Sequence, residues 1–168
     1  MQGLIIENKA NLYKIKLGNI NYIATARGKF KNDSFTPVVG DIAEFSIVDE
    51  NKKTAVIESV KERVSYIKRP KLANINQIVF VVSSKHPKPD LLLLDKQLAF
   101  AEFLHIKPVI VLNKIDLDDK HEFLNIQKIY EEIGYKVIQT DAKNGIGIEE
   151  ILLELKNNIS AFAGNSGV

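Results

Sequence analysis

The sequence contains no cysteine, and its three histidines, His86, His105 and His121, lie far apart. It therefore provides neither a disulfide framework nor a thiolate metal site, and the histidines lack the spacing of metal ligands. No apolar run reaches the length of a membrane span. The N-terminus lacks the basic and apolar regions of a secretory signal. We expect a cytoplasmic protein that has no membrane partner and no metal site in this chain.

The size and composition are those of an ordinary globular protein. The chain has 168 residues, of which 45% are hydrophobic and 26% are charged. This length allows one ordinary domain or two small ones. The formal net charge of +2 is too small to indicate a class of partner by itself.

A run of four apolar residues, 109–112, is followed at once by Asn113-Lys114-Ile115-Asp116. Three of the four apolar residues are β-branched, which favours a strand buried on both faces. Polar residues at the carboxyl end of such a strand lie where an open α/β sheet binds its ligand. The alternative is a loop that is polar only because loops generally are.

The chemistry of this tetrapeptide suits guanine. An ionised aspartate accepts hydrogen bonds through two oxygens, so Asp116 can take the ring N–H and the amino group, a donor pair that adenine lacks. Asn113 offers a donor and an acceptor to the base edge and to neighbouring loops. The stem of Lys114 can lie on the purine face while its ammonium stays in water.

The first third of the chain alternates apolar and polar residues with a period of two. Five short strands, separated by turn residues, favour a small β-barrel of the OB-fold type, with an SH3-like barrel as the alternative. OB-folds commonly bind oligonucleotides. Cations interleave with an aromatic ring at Arg27, Lys29, Phe30 and Lys31, as on an RNA-binding surface. A plain charged hairpin is the alternative interpretation of this segment.

A charged, aperiodic segment around residues 61–71 marks a boundary, and we place a barrel domain at residues 1–68 and a second domain at 69–168. Strands then alternate with helices, which predicts a parallel sheet with right-handed crossovers. The spacing predicts helices over residues 91–105, 121–133 and 148–157. Asp90 is expected to cap the first helix, and Gly134 to end the second.

Two further loops follow predicted strands of this sheet. In the first, the backbone N–H of Ala142, next to Lys143, is placed to donate to the guanine carbonyl. The second loop, Gly164-Asn165-Ser166-Gly167-Val168, fits the first five positions of the phosphate-binding motif G-x-x-x-x-G-K-[ST]. A dinucleotide fingerprint at residues 145–150 fails at Glu150, and a KH-type GXXG loop at 164–167 would have to join two helices.

The phosphate loop follows the guanine motif here, which reverses the order found in ordinary GTPases. This order behind an OB-fold resembles the circularly permuted RsgA/YjeQ family of GTPases, which act in late maturation of the small ribosomal subunit. The resemblance covers essentially the whole chain, and its supporting segments are Arg27-Gly28, Val39-Gly40-Asp41, Arg69-Pro70, residues 73–77, residues 95–98 and residues 162–168. Asn165 replaces the usual glutamine, and Asp141 the usual serine.

The resemblance implies a GTPase stimulated by the small ribosomal subunit, which binds GTP or GDP and contacts rRNA through its OB-fold. It also implies a monomer, with Mg²⁺ and one structural zinc held by residues beyond Val168. On this basis the chain contains an OB-fold and part of a P-loop GTPase domain, has no catalytic residue, and should hydrolyse no GTP alone. The alternative function is an RNA-binding module whose nucleotide domain senses GTP or GDP without cleaving it.

Overall fold

The computed structural model describes residues 1–27 and 36–168. Contacts divide the chain into two compact units, Met1–Asn74 and Ile75–Val168. The first unit is built on a barrel, and the second on a parallel sheet with helices.

The first unit contains a closed five-stranded barrel with the strand order β1-β2-β3-β5-β4. The neighbouring strands are antiparallel except for β3 and β5, which run parallel. The predicted OB-type barrel is therefore confirmed. Its strands are β1 (Gln2–Lys9), β2 (Leu12–Leu17), β3 (Ile20–Ala26), β4 (Ile42–Asp49) and β5 (Thr54–Val60).

Strand β2 shows how the sequence alternation builds the barrel. Tyr13 and Ile15 are buried, whereas Leu12 and Lys16 on the opposite face are exposed. Each Å² of apolar surface that is buried stabilises the fold by roughly 25 cal/mol. A shift of the strand register by one residue would turn the apolar face outward and lose this stabilisation. The other strands contribute their own inward residues to the same core, among them Ile5, Ala24, Phe45 and Ile57.

A short hairpin follows the barrel, formed by β6 (Tyr66–Lys68) and β7 (Lys71–Ala73). No strand was predicted here, because strands of three residues are too short to show a clear period. The hairpin belongs to the first unit through a bridge between Val39 and Leu72. Gly40 lies beside it at φ +93°, where an added Cβ would lie 1.8 Å from the carbonyl oxygen of Ala73.

A buried ion pair fixes the loop that enters β4. Asp41 is fully buried, and its two carboxylate oxygens accept from Nε and Nη2 of Arg63, each at 2.8 Å. The backbone N–H of Val38 also donates to Asp41, at 2.7 Å. Arg63 donates further to the carbonyl of Thr36. The hydrogen bonds that Arg63 donates to Asp41 raise the pKa of the guanidinium, which therefore remains charged.

The second unit contains the predicted parallel sheet, whose four strands have the order β10-β9-β8-β11. Val79, Val109, Val111 and Ile138 form a buried cluster on these strands. The strands are β8 (Gln77–Ser83), β9 (Lys107–Asn113), β10 (Lys136–Gln139) and β11 (Ser160–Gly164).

The three predicted helices are present: α1 (Leu91–Phe103), α2 (Phe123–Ile133) and α3 (Ile148–Leu155). Their ends at Leu91, Ile133 and Ile148 are as predicted, and each helix is two residues shorter at its other end. Asp90 caps α1 by accepting from the N–H of Leu93 at 3.0 Å, as expected. Gly134 ends α2 in the left-handed conformation that glycine adopts without strain. None of the helices in the described part of the chain is long and apolar enough to cross a membrane.

Candidate functional site

The four parallel strands of the second unit end at one edge of the sheet. The loops that follow β8, β9, β10 and β11 therefore share that edge, which is where α/β sheets bind ligands. The strand order places β8 between β9, which ends at Asn113, and β11, which ends where the glycine-rich loop begins. The three loops singled out from the sequence are thus brought together, and the loop after β8 joins them.

Asn113 is the last residue of β9 and is buried. Its Oδ1 accepts from the hydroxyl of Thr140 at 3.0 Å and from the backbone N–H of Ala142 at 3.1 Å. Asn113 therefore joins the loop after β9 to the loop after β10, as its donor and acceptor groups suggested. The N–H of Ala142, predicted to donate to a guanine carbonyl, has Asn113 as its acceptor in this structure.

Lys114 adopts the left-handed conformation at φ 62°. Its ammonium donates to the carbonyl of His86 at 2.8 Å and to the carbonyl of Gly167. It thereby connects the loop after β9 with the loop after β8 and with the glycine-rich loop. Both contacts lie at the exposed surface, so the expectation that the ammonium stays in water remains a prediction.

Ile115 and Asp116 lie in a short 3-10 turn, Ile115–Leu117. Asp116 is exposed. Its carboxylate has no hydrogen bond or ion pair with any residue that the structure describes. Both oxygens are therefore available to a ligand with two neighbouring donors, as guanine has.

Three residues that the sequence did not single out support the loop after β9: Ser84, Lys85 and Asp118. Ser84 donates its N–H to the carbonyl of Asn113 at 2.8 Å and its hydroxyl to the carbonyl of Lys114 at 2.7 Å. Buried Asp118 accepts from the N–H of Phe123 at 2.9 Å, and the ammonium of Lys85 lies 3.8 Å from its other oxygen. Serine, lysine and aspartate are common in loops, so no pattern distinguishes these three in the sequence.

The loop after β10 is shaped by Asp141 and Gly147. Asp141 is buried, and its carboxylate accepts from the backbone N–H of Asn144 at 3.1 Å and from the side-chain amide of the same residue. Gly147 has φ +78°, and an added Cβ would lie 2.1 Å from the carbonyl oxygen of Gln139. This turn leaves Ala142 and Lys143 exposed at the sheet edge.

The glycine-rich loop begins at Gly164, the last residue of β11. An added Cβ there would lie 2.7 Å from the carbonyl oxygen of Val81 on β8, so the close approach of the two strands requires glycine. The N–H of Val168 turns back to the carbonyl of Asn165 at 3.3 Å, and Gly167 adopts φ +80°. Asn165, Ser166 and Gly167 are exposed. Such a turn presents backbone N–H groups of the kind that bind phosphate.

The candidate RNA-binding segment of the barrel is only partly described. Lys29, Phe30 and Lys31 lie outside the described residues. Arg27 is described, and its guanidinium lies 3.0 Å from a carboxylate oxygen of Glu58, with both side chains roughly half exposed.

Two family profiles match the chain. The profile described as the RsgA N-terminal domain matches residues 2–57, and the one described as RsgA GTPase matches residues 60–168. The chain belongs to the RsgA GTPase family. The family predicted from the sequence is therefore confirmed.

Relatives of this RsgA-family chain include two proteins named small ribosomal subunit biogenesis GTPase RsgA. The one from Caldanaerobacter subterraneus subsp. tengcongensis is 39% identical over 168 residues, which are 100% of this chain and 56% of the relative. The one from Ruminiclostridium cellulolyticum is also 39% identical, over 99% of this chain and 55% of the relative. The chain thus spans little more than half the length of these curated relatives.

Two solved structures resemble the RsgA-family chain over 99% of its length. YjeQ from Thermotoga maritima matches with a TM-score of 0.85 and 32% identity, over 60% of that structure's chain. YloQ, described as a circularly permuted GTPase, matches with a TM-score of 0.83 and 29% identity, also over 60% of its chain. The barrel followed by the parallel sheet is therefore the arrangement found in circularly permuted GTPases.

Proposed function

We propose that this chain provides the guanine-nucleotide pocket of a GTPase that acts in biogenesis of the small ribosomal subunit, in the cytoplasm. Its second unit would bind GTP or GDP, and its barrel would contact rRNA. The observation that carries the proposal is the joining of three loops at one sheet edge. Lys114 bonds to the glycine-rich loop, while the neighbouring carboxylate of Asp116 has no partner among the described residues.

The pocket would read the base through Asp116 and Asn113. Asp116 would accept from the ring N–H and the amino group of guanine, and the side-chain amide of Asn113 would donate to the base edge. The N–H of Ala142 would share its hydrogen bond between Asn113 and the guanine carbonyl. Ile115 and Lys143 would line the base, and the turn at 164–168 would surround the phosphates with backbone N–H groups.

The barrel is proposed as the rRNA-binding part. The ion pair between Arg27 and Glu58 is exposed, and such pairs contribute only about 0–1 kcal/mol. A phosphate can therefore replace Glu58 at little cost. Lys29, Phe30 and Lys31 follow Arg27 in the sequence and would extend the same surface.

The family resemblance implies Mg²⁺ and one structural zinc ion. Residues 1–27 and 36–168 contain no group of three or more His, Cys, Asp or Glu side chains that could hold a metal ion. No zinc or Mg²⁺ ligand is assigned to this chain, and the base-reading steps above depend only on its own side chains and backbone.

The Asp116→Asn substitution tests the base-reading role. Removing one acceptor leaves a donor of guanine unpaired, which costs roughly 1–3 kcal/mol, or about 5-fold to 150-fold in affinity. The new amide can instead donate to the second carbonyl of xanthine, so preference should move from GDP to XDP. Titration of both nucleotides against the two proteins measures this shift.

Asp119→Asn is the matched control, because Asp119 is an exposed aspartate three residues away. It should leave both affinities unchanged. If wild type and Asp116→Asn bind GDP with equal affinity, Asp116 does not contact the base. Phosphate release by the protein carrying the whole GTPase domain, measured with and without small ribosomal subunits, separates a GTPase from a nucleotide sensor that does not hydrolyse GTP.

A further inference from the structure

We infer that the β6–β7 hairpin is a second RNA-binding surface of the first unit, separate from the segment at Arg27. The surface, called here the basic hairpin, consists of Lys68, Arg69 and Lys71 at the hairpin turn. All three side chains are exposed. The inference rests on the proposed function for the identity of the RNA, and on the hairpin geometry for the phosphate contacts.

The basic hairpin concentrates positive charge that the protein does not neutralise. Lys68 and Lys71 are cross-strand partners in the β6–β7 pairing, and like charges in that position destabilise a hairpin. Arg69 adds a third charge between them. Among the described residues, no hydrogen bond or ion pair neutralises any of the three. A bound anion would remove this repulsion.

Some cations of the same unit are paired with acidic residues, and others lie singly on its surface, whereas the basic hairpin brings together, within four residues, three cations that have no ion pair among the described residues. Lys14 pairs with Glu7 at 2.5 Å, and Lys53 pairs with Glu50 at 2.7 Å. The hairpin has no acidic residue between positions 63 and 89 from which to draw such a partner locally. Its charges are therefore available to a ligand.

The hairpin holds its charges on a fixed support. Ile67, the middle residue of β6, is buried, and Ala73 at the end of β7 is fully buried. The side chain of Asn74 donates to the carbonyl of Gly40 at 2.9 Å and accepts from the N–H of Val64 at 2.9 Å. Because the backbone is tied to the barrel in this way, a ligand orders only side chains when it binds.

An aromatic ring beside the charges favours RNA as the partner. Tyr66 lies on the same face as Lys68, is 36% exposed, and has the guanidinium of Arg63 at 4.6 Å from its ring centre. Cations that flank an exposed aromatic ring suit a backbone phosphate together with a stacked base. The tip, Lys-Arg-Pro-Lys, has none of the large apolar side chains that insert into a membrane interface.

The test compares two triple variants of the whole protein. One is Lys68→Ala/Arg69→Ala/Lys71→Ala. The matched control removes three exposed lysines of the same unit that have no ion pair among the described residues: Lys9→Ala/Lys16→Ala/Lys61→Ala. Binding to a 20-nucleotide single-stranded RNA and to purified small ribosomal subunits is measured between 50 and 300 mM salt, without nucleotide.

Three lost phosphate contacts should lower the slope of log affinity against log salt by about 2 to 3 units. The control should keep the wild-type slope, and Lys68→Arg/Lys71→Arg should keep it as well because the charges remain. Circular dichroism of each variant verifies the fold. A hairpin variant with the wild-type slope on both RNA targets would overturn the inference.

The failures of the two proposals are distinguishable. If wild type does not bind small subunits, the proposed function fails, and binding to the single-stranded RNA alone decides whether the hairpin binds RNA. If wild type binds subunits and the hairpin variant binds them equally, only the hairpin inference fails. Binding of wild type and the hairpin variant to vesicles containing phosphatidylserine is measured as well. If the hairpin variant loses vesicle binding while its RNA binding is unchanged, the hairpin is a membrane-binding surface and the inference is overturned.

Discussion

Replacing Asp41 by alanine should destabilise the barrel more than any surface change in the same unit. Asp41 is fully buried and neutralises Arg63, whose side chain is only 14% exposed. Without the carboxylate, a guanidinium remains largely buried without a counter-charge, and the N–H of Val38 loses its acceptor. The cost should fall on the first unit, since all three residues lie within it.

The expected magnitude follows from the number of lost contacts. Removing one partner of a buried ion pair typically costs about 3–5 kcal/mol. The unpaired N–H of Val38 is part of that cost rather than an independent addition. Since an ordinary domain is stable by only about 5–15 kcal/mol, Asp41→Ala should remove a large fraction of the barrel's stability.

Urea unfolding followed by circular dichroism measures this loss, with Glu62→Ala as control. Glu62 is an exposed acid next to Arg63, so the control removes the same charge without exposing a buried cation. Adding Arg63→Met to Asp41→Ala removes the unpaired cation and should recover part of the loss. If Asp41→Ala unfolds within about 0.5 kcal/mol of Glu62→Ala, the ion pair does not stabilise the barrel, and the argument from burial is refuted.

Two further predictions concern the second unit. Gly147→Ala should lower the free energy of unfolding by at least about 1–2 kcal/mol, because its left-handed φ is strained for alanine and the new Cβ meets the carbonyl of Gln139. Gly145 has a similar φ but open space around it, so comparing the thermal melts of Gly147→Ala and Gly145→Ala separates the clash from the backbone strain. Burial and donation to Asp95 raise the pKa of Tyr130, so its contribution to stability is complete below pH 10 and is lost as pH rises beyond it. Tyr130→Phe should flatten the fall of the urea midpoint between pH 9 and 11, and an unchanged fall would contradict this account.

The regular elements could be predicted because periodicity is a local property. In β2 and β9 the alternating and the continuous apolar patterns each specify burial without reference to distant residues. Helix ends were predicted well only where one residue decides them, as at Gly134. The hairpin at Tyr66–Ala73 was missed because its strands depend on contacts with Val39 and Gly40, about 30 residues earlier.

The residues proposed to read the base could be singled out because their chemistry is specific, whereas the chemistry of the residues that support them is not. Asp116 has the acceptors that guanine needs, and its spacing from Asn113 is short and fixed. Ser84 and Asp118 act through a backbone carbonyl and a backbone N–H, for which many polar residues would serve. Their roles become visible only when β8 and β9 are placed side by side.

Lys114 illustrates how the sheet order turns separate sequence features into one site. Its predicted role concerned the base alone, yet its ammonium reaches His86, 28 residues earlier, and Gly167, 53 residues later. Both contacts follow from the order β9-β8-β11, which places the loop after β8 between the other two. One side chain thus contacts both the loop after β8 and the glycine-rich loop, next to Asp116. Under the proposed function, the phosphate-binding loop and the base-reading loop would therefore be joined by a direct hydrogen bond, although their residues lie half a domain apart in the sequence.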